Sequence, residues 1–244
     1  MDGRWALSFA LMRIEQDSVF ELLCADLIAY SQSAENETAA LALTAKRYKQ
    51  WNKLLEHQRK SLMDEINRKG LLGELTYLCS VIDSGYPIFA AVQGWVGPDG
   101  ADQDFIYADG WHEVKSVGVA ASSVTISSLE QLDNSDPGEL VVMFIDKCAP
   151  ERGGAVSLGE QVDLTLARVH EDGDALSLLE SKLMRYGYID LPEYREQKYV
   201  CSGRARFLVD ADFPRLTADT VTPQIIAAQY SISLAGIEGW RVED

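Results

Sequence analysis

Asp109-Gly110, set between Phe105-Ile-Tyr107 and Trp111-His-Glu-Val114, is the feature that most constrains this chain. Short runs of aromatic and branched residues on either side of Asp-Gly predict a hairpin with a two-residue loop, because both loop positions need positive φ. With that loop closed, Ala108 pairs with Trp111, Ile106 with Glu113 and Asp104 with Lys115, and residues opposite one another share a face. Two carboxylates and an ammonium then converge. Acids held side by side repel and resist ionisation unless a cation sits among them, and a divalent metal answers that need.

The local charge count sharpens this reading. From Gly70 to Asp146 there are twelve acids, and Lys115 is the only Lys or Arg. A single lysine two residues from a glutamate on a strand, in so acidic a region, points to chemistry rather than to surface decoration. The triplet Glu-x-Lys is not specific by itself, since it recurs at Glu180-Ser-Lys182 and Glu196-Gln-Lys198. Glu180 and Lys182 lie on a predicted helix, where residues two apart point to nearly opposite sides, and Glu196 and Lys198 lie in a polar loop. Only Glu113-Val-Lys115 has an acid placed by register on its face. Asp102, on the same face as Asp104, is the rival for that position.

The 244 residues are 47% hydrophobic and 25% charged, enough to bury one sizeable core or two small ones. A formal charge of −16 argues against non-specific coating of nucleic acid, which runs on many Lys and Arg. A local basic track remains. Lys46, Arg47, Lys49, Lys53, Arg59, Lys60, Arg68 and Lys69 face only three acids within 46 to 69, so that helix either tracks phosphates or is a solvated surface. Cys24, Cys79, Cys148 and Cys201 form no Cys-x-x-Cys pair, which fits a cytoplasmic protein with free thiols and no zinc knuckle. Residues 5 to 12 are apolar but are neither a signal peptide nor long enough to cross a membrane.

Along the chain, 5 to 12 read as a strand, and Ser18-Val-Phe-Glu21 is a capping box opening a helix that ends near Ser31. Helical periodicity over Glu37–Arg68 has Tyr48, Trp51, Leu55, Leu62 and Ile66 on one stripe; Gly70 interrupts it, and a second apolar helix follows over 71 to 81 carrying Glu74. Ile88 to Trp95 reads as a strand, then the hairpin, then a strand at 124 to 126. Ser127-Ser-Leu-Glu-Gln131 reads as a capped brief helix, and Leu140 to Ile145 as a strand buried on both faces. Residues 157 to 186 form an interrupted helix ended by Gly187. Residues 199 to 210, 213 to 217 and 225 to 234 look like strands of a small antiparallel unit, on which Arg204, Arg206 and Arg215 either meet phosphates or are simply the outward residues. The fold class is mixed α/β, with a helix, three strands, helix, strand core. The expected division is 1–69, holding an N-terminal strand and helices; 70–150, the core; and 151–244, a helix and antiparallel strands packed on it.

Asp104 with eight residues before Glu113-Val-Lys115, preceded by a helix bearing Glu74 and followed by a buried strand, resembles the PD-(D/E)XK nuclease superfamily and its restriction-endonuclease-like core. More narrowly, Gly70-Leu-Leu-Gly-Glu74-Leu, Trp95-Val-Gly-Pro98, Asp104-Phe, Glu113-Val-Lys-Ser116, Ile126-Ser-Ser-x-Glu-Gln131-Leu and Phe213-Pro-Arg-Leu216 are together similar to PD-(D/E)XK proteins encoded in bacterial restriction and defence gene clusters. The likeness runs from about residue 40 to the end. Gln103 stands where the name of the superfamily has a proline, and members of this group carry more sequence before the first helix.

The resemblance implies Mg²⁺-dependent hydrolysis of DNA phosphodiesters, with Mn²⁺ as a substitute. It implies that Asp104, Glu113 and the Val114 carbonyl ligate the metal and that Lys115 orients or deprotonates the attacking water. Glu74 would be a third ligand or an anchor behind the ligands. Gln131 would hold a phosphate or Lys115, or serve only as a cap. Implied partners are DNA, a second copy of the chain in a homodimer, and other defence-system proteins; no membrane is implied. The competing class is a nuclease fold without turnover, acting as a DNA-binding or assembly subunit. His57, His112 and His170 have no partner at metal-ligand spacing, and His112 alternates away from Glu113, so no histidine chemistry is expected.

Overall fold

The computed structural model describes residues 7–10, 17–57 and 63–243, with backbone only at 17–19 and 52–57. The chain forms two compact units, residues 1–62 and 63–244. The first contains α1 (Asp17–Ser31) and α2 (Glu37–His57). Their packing centres on Asp26, whose two oxygens accept from Arg47 Nε and Nη2 at 2.7 Å each, while Trp51 Nε1 donates at 2.8 Å. Arg47 is therefore buried in an ion pair and is not part of an outward basic track. Of the strand expected over 5 to 12 only residues 7–10 are described, and they carry no regular structure. The Ser18 capping box, Lys53, Arg59 and Lys60 lie outside the described side chains.

Near the start of the second unit, the Asp64 side chain caps α3 (Glu65–Asp83) by accepting from the Asn67 N–H. The helix break expected at Gly70 is not there; α3 runs straight through it. The described residues Met63 and Asp64, ahead of α3, are non-helical instead, because a side chain that caps helix N–H groups marks a helix start. After α3 come α4 (Ile88–Gly94), β1 (Phe105–Tyr107), β2 (Gly110–Val117), β3 (Ser123–Ile126), β4 (Gly138–Cys148), β5 (Val156–Ser157), α5 (Leu158–Val169), α6 (Gly173–Tyr186), α7 (Glu193–Glu196), β6 (Lys198–Val209), β7 (Tyr230–Ser233) and β8 (Arg241–Val242).

The main sheet has the order β1-β2-β4-β6-β5, with β8 on β6; only β2 and β4 run parallel. A separate antiparallel pair, β3 with β7, forms a second small sheet. Strand β4 shows why the layers stack. Val141, Met143 and Ile145 join the helices α3 to α6 on one face, while Leu140 and Val142 join Val124, Ile126, Phe213 and Ile232 on the other. Burial on both faces is what the unbroken apolar run predicts. The architecture is mixed α/β, consistent with the restriction-endonuclease-like class, and among the described residues no helix is long and apolar enough to cross a membrane.

Four local readings change. Ile88–Gly94 is a helix, not a strand: Pro87 opens it, and Ala91, Val92 and Trp95 are buried at helical spacing. Ser127 to Gln131 forms a turn rather than a helix. Residues 213–217 are irregular, only 230–233 of the segment 225–234 is strand, and the strand expected at 199–210 runs in the main sheet between β4 and β5. Finally, the hairpin register is Phe105↔His112, Ile106↔Trp111 and Tyr107↔Gly110, so the loop is Ala108-Asp109. Gly110, with φ +142°, is the first residue of β2 and lies against Pro137 O, which a Cβ there would approach to 3.1 Å. Its conformational freedom serves the start of the sheet rather than the loop. The slip is two residues along the partner strand, and because strands repeat every two, every side chain keeps its face.

Candidate active site

Strand β1 pairs with β2 only from Gly110 to His112, so from Glu113 onward β2 has no strand on that side among the described residues. An edge donor there needs a partner. The Val114 N–H finds one in Asp104 Oδ2 at 2.8 Å, one residue before β1 begins. A strand residue directs its N–H and C=O toward the same neighbour, so the Val114 carbonyl faces the same open edge. Continuing the register places Asp104 opposite Glu113. Lys115, two residues on and on the same face, brings Nζ to 2.6 Å from Glu113 Oε1.

Glu74 arrives from α3. A Cβ on its neighbour Gly73 would stand 2.1 Å from Ser116 Oγ, so glycine there leaves the space that the Ser116 hydroxyl occupies between α3 and β2. Both oxygens of Glu74 are held: Trp95 Nε1 donates to Oε2 at 2.7 Å and the Tyr186 hydroxyl to Oε1 at 2.9 Å. Gly70, one turn earlier, leaves the space that this hydroxyl occupies, since a Cβ there would lie 3.2 Å from it.

The electrostatics follow from burial. The Glu113 side chain is wholly out of water, and neither oxygen accepts a hydrogen bond of good geometry. The Lys115 charge therefore compensates it without satisfying it. Burial first, then Asp104, push its carboxyl up to about 8, with Lys115 pulling the other way. Burial likewise raises Asp104, offset in part by Lys115 and the Val114 N–H. Glu74 rises well above the usual range through burial and the Asp104 charge, against the pull of Trp95 and Tyr186. Burial works to lower Lys115, but Glu113 and Asp104 beside it win and raise it, so the ammonium stays charged.

Three acids thus face one ammonium, and the buried Glu113 carboxyl beside the Asp104 carboxylate and the Val114 carbonyl makes an all-oxygen donor set of the kind Mg²⁺ or Mn²⁺ accepts. In this conformation no group of three or more His, Cys, Asp or Glu among the described residues is arranged as a ready metal cage. The donors that fit an ion are therefore two carboxylates and a carbonyl, with Glu74 behind them.

Other residues singled out by sequence lie differently. The Gln131 side-chain oxygen accepts from the Ser127 N–H at 2.8 Å, within its own turn. Asp102 is exposed, and Asp104 is the acid that reaches β2. His112 is buried between the rings of Tyr77 and Tyr107, with Nδ1 3.4 Å from Glu139. Arg204 donates to Ser80, Arg206 forks onto Glu139, and Arg215 clamps the Leu132 and Asn134 carbonyls. Trp95, Ser116 and Tyr186 are the residues sequence reasoning passed over. The Trp95-Val-Gly-Pro98 motif was a signal for the first; Ser116, whose buried hydroxyl has no partner, sat inside the Glu-Val-Lys-Ser motif; Tyr186 carried none.

No curated protein and no solved structure matches the chain. A family model described as "Putative PD-(D/E)XK family member" (DUF4420) matches residues 1–235. With the Asp104, Glu113 and Lys115 constellation at the sheet edge and a mixed α/β fold around it, the chain belongs to this PD-(D/E)XK family.

Proposed function

We propose that the protein is a divalent-metal-dependent endonuclease that hydrolyses DNA phosphodiester bonds, with Mg²⁺ or Mn²⁺, in a bacterial restriction or phage-defence system. The observation that carries the chemistry is the meeting of Asp104, Glu113 and Lys115 at the edge of β2, with the Glu113 carboxyl buried beside the Lys115 ammonium. Family membership supports the nuclease class, and the likeness to defence-cluster proteins supports the setting.

Asp104, Glu113 and the Val114 carbonyl would hold the metal, and Glu74 would add its charge from behind. When bound, a divalent ion polarises the phosphoryl oxygen and acidifies water. In hydrolysis, water oxygen bonds to phosphorus, a P–O bond breaks, and the leaving oxygen takes a proton, so negative charge grows on the phosphoryl group. Lys115, kept protonated by its two acidic neighbours, is suited to offset that charge and to orient the water rather than to remove its proton. The low-dielectric surroundings of Glu113 strengthen these interactions.

Cleavage of supercoiled plasmid and of oligonucleotides, with Mg²⁺ or Mn²⁺ and with chelator, tests the proposal. The wild-type chain should cut only with metal, and Lys115→Ala should lose on the order of 100-fold or more. Equal cleavage by Lys115→Ala would move the chemistry elsewhere. A wild-type chain that binds DNA and cuts under no metal would overturn the enzyme reading in favour of a non-catalytic nuclease-fold subunit.

A further inference from the structure

Helix α6 sends out two side chains one turn apart: Tyr186, which reaches Glu74, and Lys182, which reaches the segment 93–99. Side chains at i and i+4 share a helix face. Tyr186 donates directly to Glu74 Oε1 at 2.9 Å. Lys182 is 2% exposed, and its ammonium donates to the Trp95 carbonyl, to Gln93 O at 3.3 Å and to Asp99 Oδ2 at 2.7 Å. Burying a lysine is costly unless its charge is paired and its protons are used. All three are used here, and all three fix one short segment, 93–99.

That segment holds both acids that stand apart from the Glu113-Lys115 strand. The Trp95 ring donates to Glu74 Oε2 at 2.7 Å, and the N–H groups of Val96 and Gly97 donate to the Asp104 carbonyl at 2.9 and 3.0 Å. Arg185 adds a second cation on Asp99. Trp95 is fully buried, 6.5 Å centroid to centroid from Phe105 and 6.1 Å from Tyr186, so the ring has no freedom to swing once its carbonyl is pinned.

We propose that Lys182 and Tyr186 are positioning residues for divalent-cation binding: Tyr186 orients Glu74 directly, and Lys182 orients Glu74 and Asp104 through residues 95–97. This rests on the metal-dependent reading above and assigns to α6 the support behind the ligands. Partners that orient metal-binding carboxylates commonly matter about 10- to 100-fold in metal affinity.

The test is calorimetric titration of the full chain with MnCl₂ alone, alongside circular-dichroism melts. Tyr186→Phe keeps the ring and removes only the donor; roughly tenfold weaker Mn²⁺ binding is expected, with the folded spectrum retained and a higher Mn²⁺ requirement for cleavage that excess metal restores. In a Glu74→Gln background, Tyr186→Phe should change the affinity no further. Should Tyr186→Phe not fold, Gly70→Ala, whose Cβ crowds the hydroxyl at 3.2 Å, carries the same test. Lys182→Met should also weaken Mn²⁺ binding. Wild-type affinity in folded Tyr186→Phe, or a further tenfold loss in the Glu74→Gln background, overturns the positioning role alone. A wild-type chain that takes up no Mn²⁺ overturns the metal-dependent reading and this one with it.

Discussion

Replacing Glu113 by glutamine should make the protein more stable and, on the proposed function, abolish metal-dependent cleavage. The native carboxyl is pushed up to about 8 from an ordinary 4.5, so between those two values the folded chain keeps a proton that the unfolded chain has released. Stability therefore falls as pH rises through that window. At about 1.4 kcal/mol per pH unit, the loss by pH 7 is about 3 kcal/mol, and it levels off above pH 8. Glutamine removes the dependence but forfeits the attraction to Lys115, so a net gain of about 2 kcal/mol at pH 8 is expected, or ~5 °C in Tm for a unit of this size. Thermal melts of both proteins in chelator, from pH 5 to pH 8, read this directly: the gap should open with pH. Addition of Mn²⁺ should raise the wild-type Tm by mass action and leave Glu113→Gln unmoved. A glutamine variant less stable than wild type at pH 8, or a gap that does not change with pH, would refute the account of Glu113 as a carboxyl whose ionisation is penalised by burial.

Two further outcomes probe the scaffold. Gly73→Ala must turn the Ser116 hydroxyl aside, since the added methyl would fall 2.1 Å from its Oγ and 3.5 Å from its Cβ; a loss of about 1 kcal/mol in urea melts is expected. Glu139 is held down at about 2 despite partial burial, by His112 and the Arg206 fork. It should contribute about 3 kcal/mol that is present above pH 4.5 and disappears as pH falls through 2, so Glu139→Gln should flatten the acid limb of the stability curve.

How the hairpin tolerated a wrong loop assignment is instructive. Asp109-Gly110 was the expected loop, the true loop is Ala108-Asp109, and yet Asp104, Glu113 and Lys115 still meet. A two-residue slip preserves faces because the strand period is two, so the alternation of side chains carried the prediction even where the turn chemistry did not. The same periodicity made β4 legible, since an unbroken apolar run is explained only by two covered faces. Ile88–Gly94 failed for the opposite reason: seven residues are too few for periodicity to separate helix from strand, and the burial of Ala91, Val92 and Trp95 decided it.

Local pattern by itself determined the acidic hairpin, the lone lysine within it and the mixed α/β class, because each depends on residues near one another in the chain and on the fixed pitch of a strand or a helix. Only the tertiary structure decided how Glu74 is held. Trp95 lies 21 residues from it and Tyr186 lies 112 residues away, and no propensity or spacing rule spans such distances. Their meeting depends on packing α4 and α6 against α3, where Gly70 and Gly73 leave room for the Tyr186 and Ser116 hydroxyls. Contacts of that kind are set by shape and burial across the whole core, which a linear pattern does not encode residue by residue.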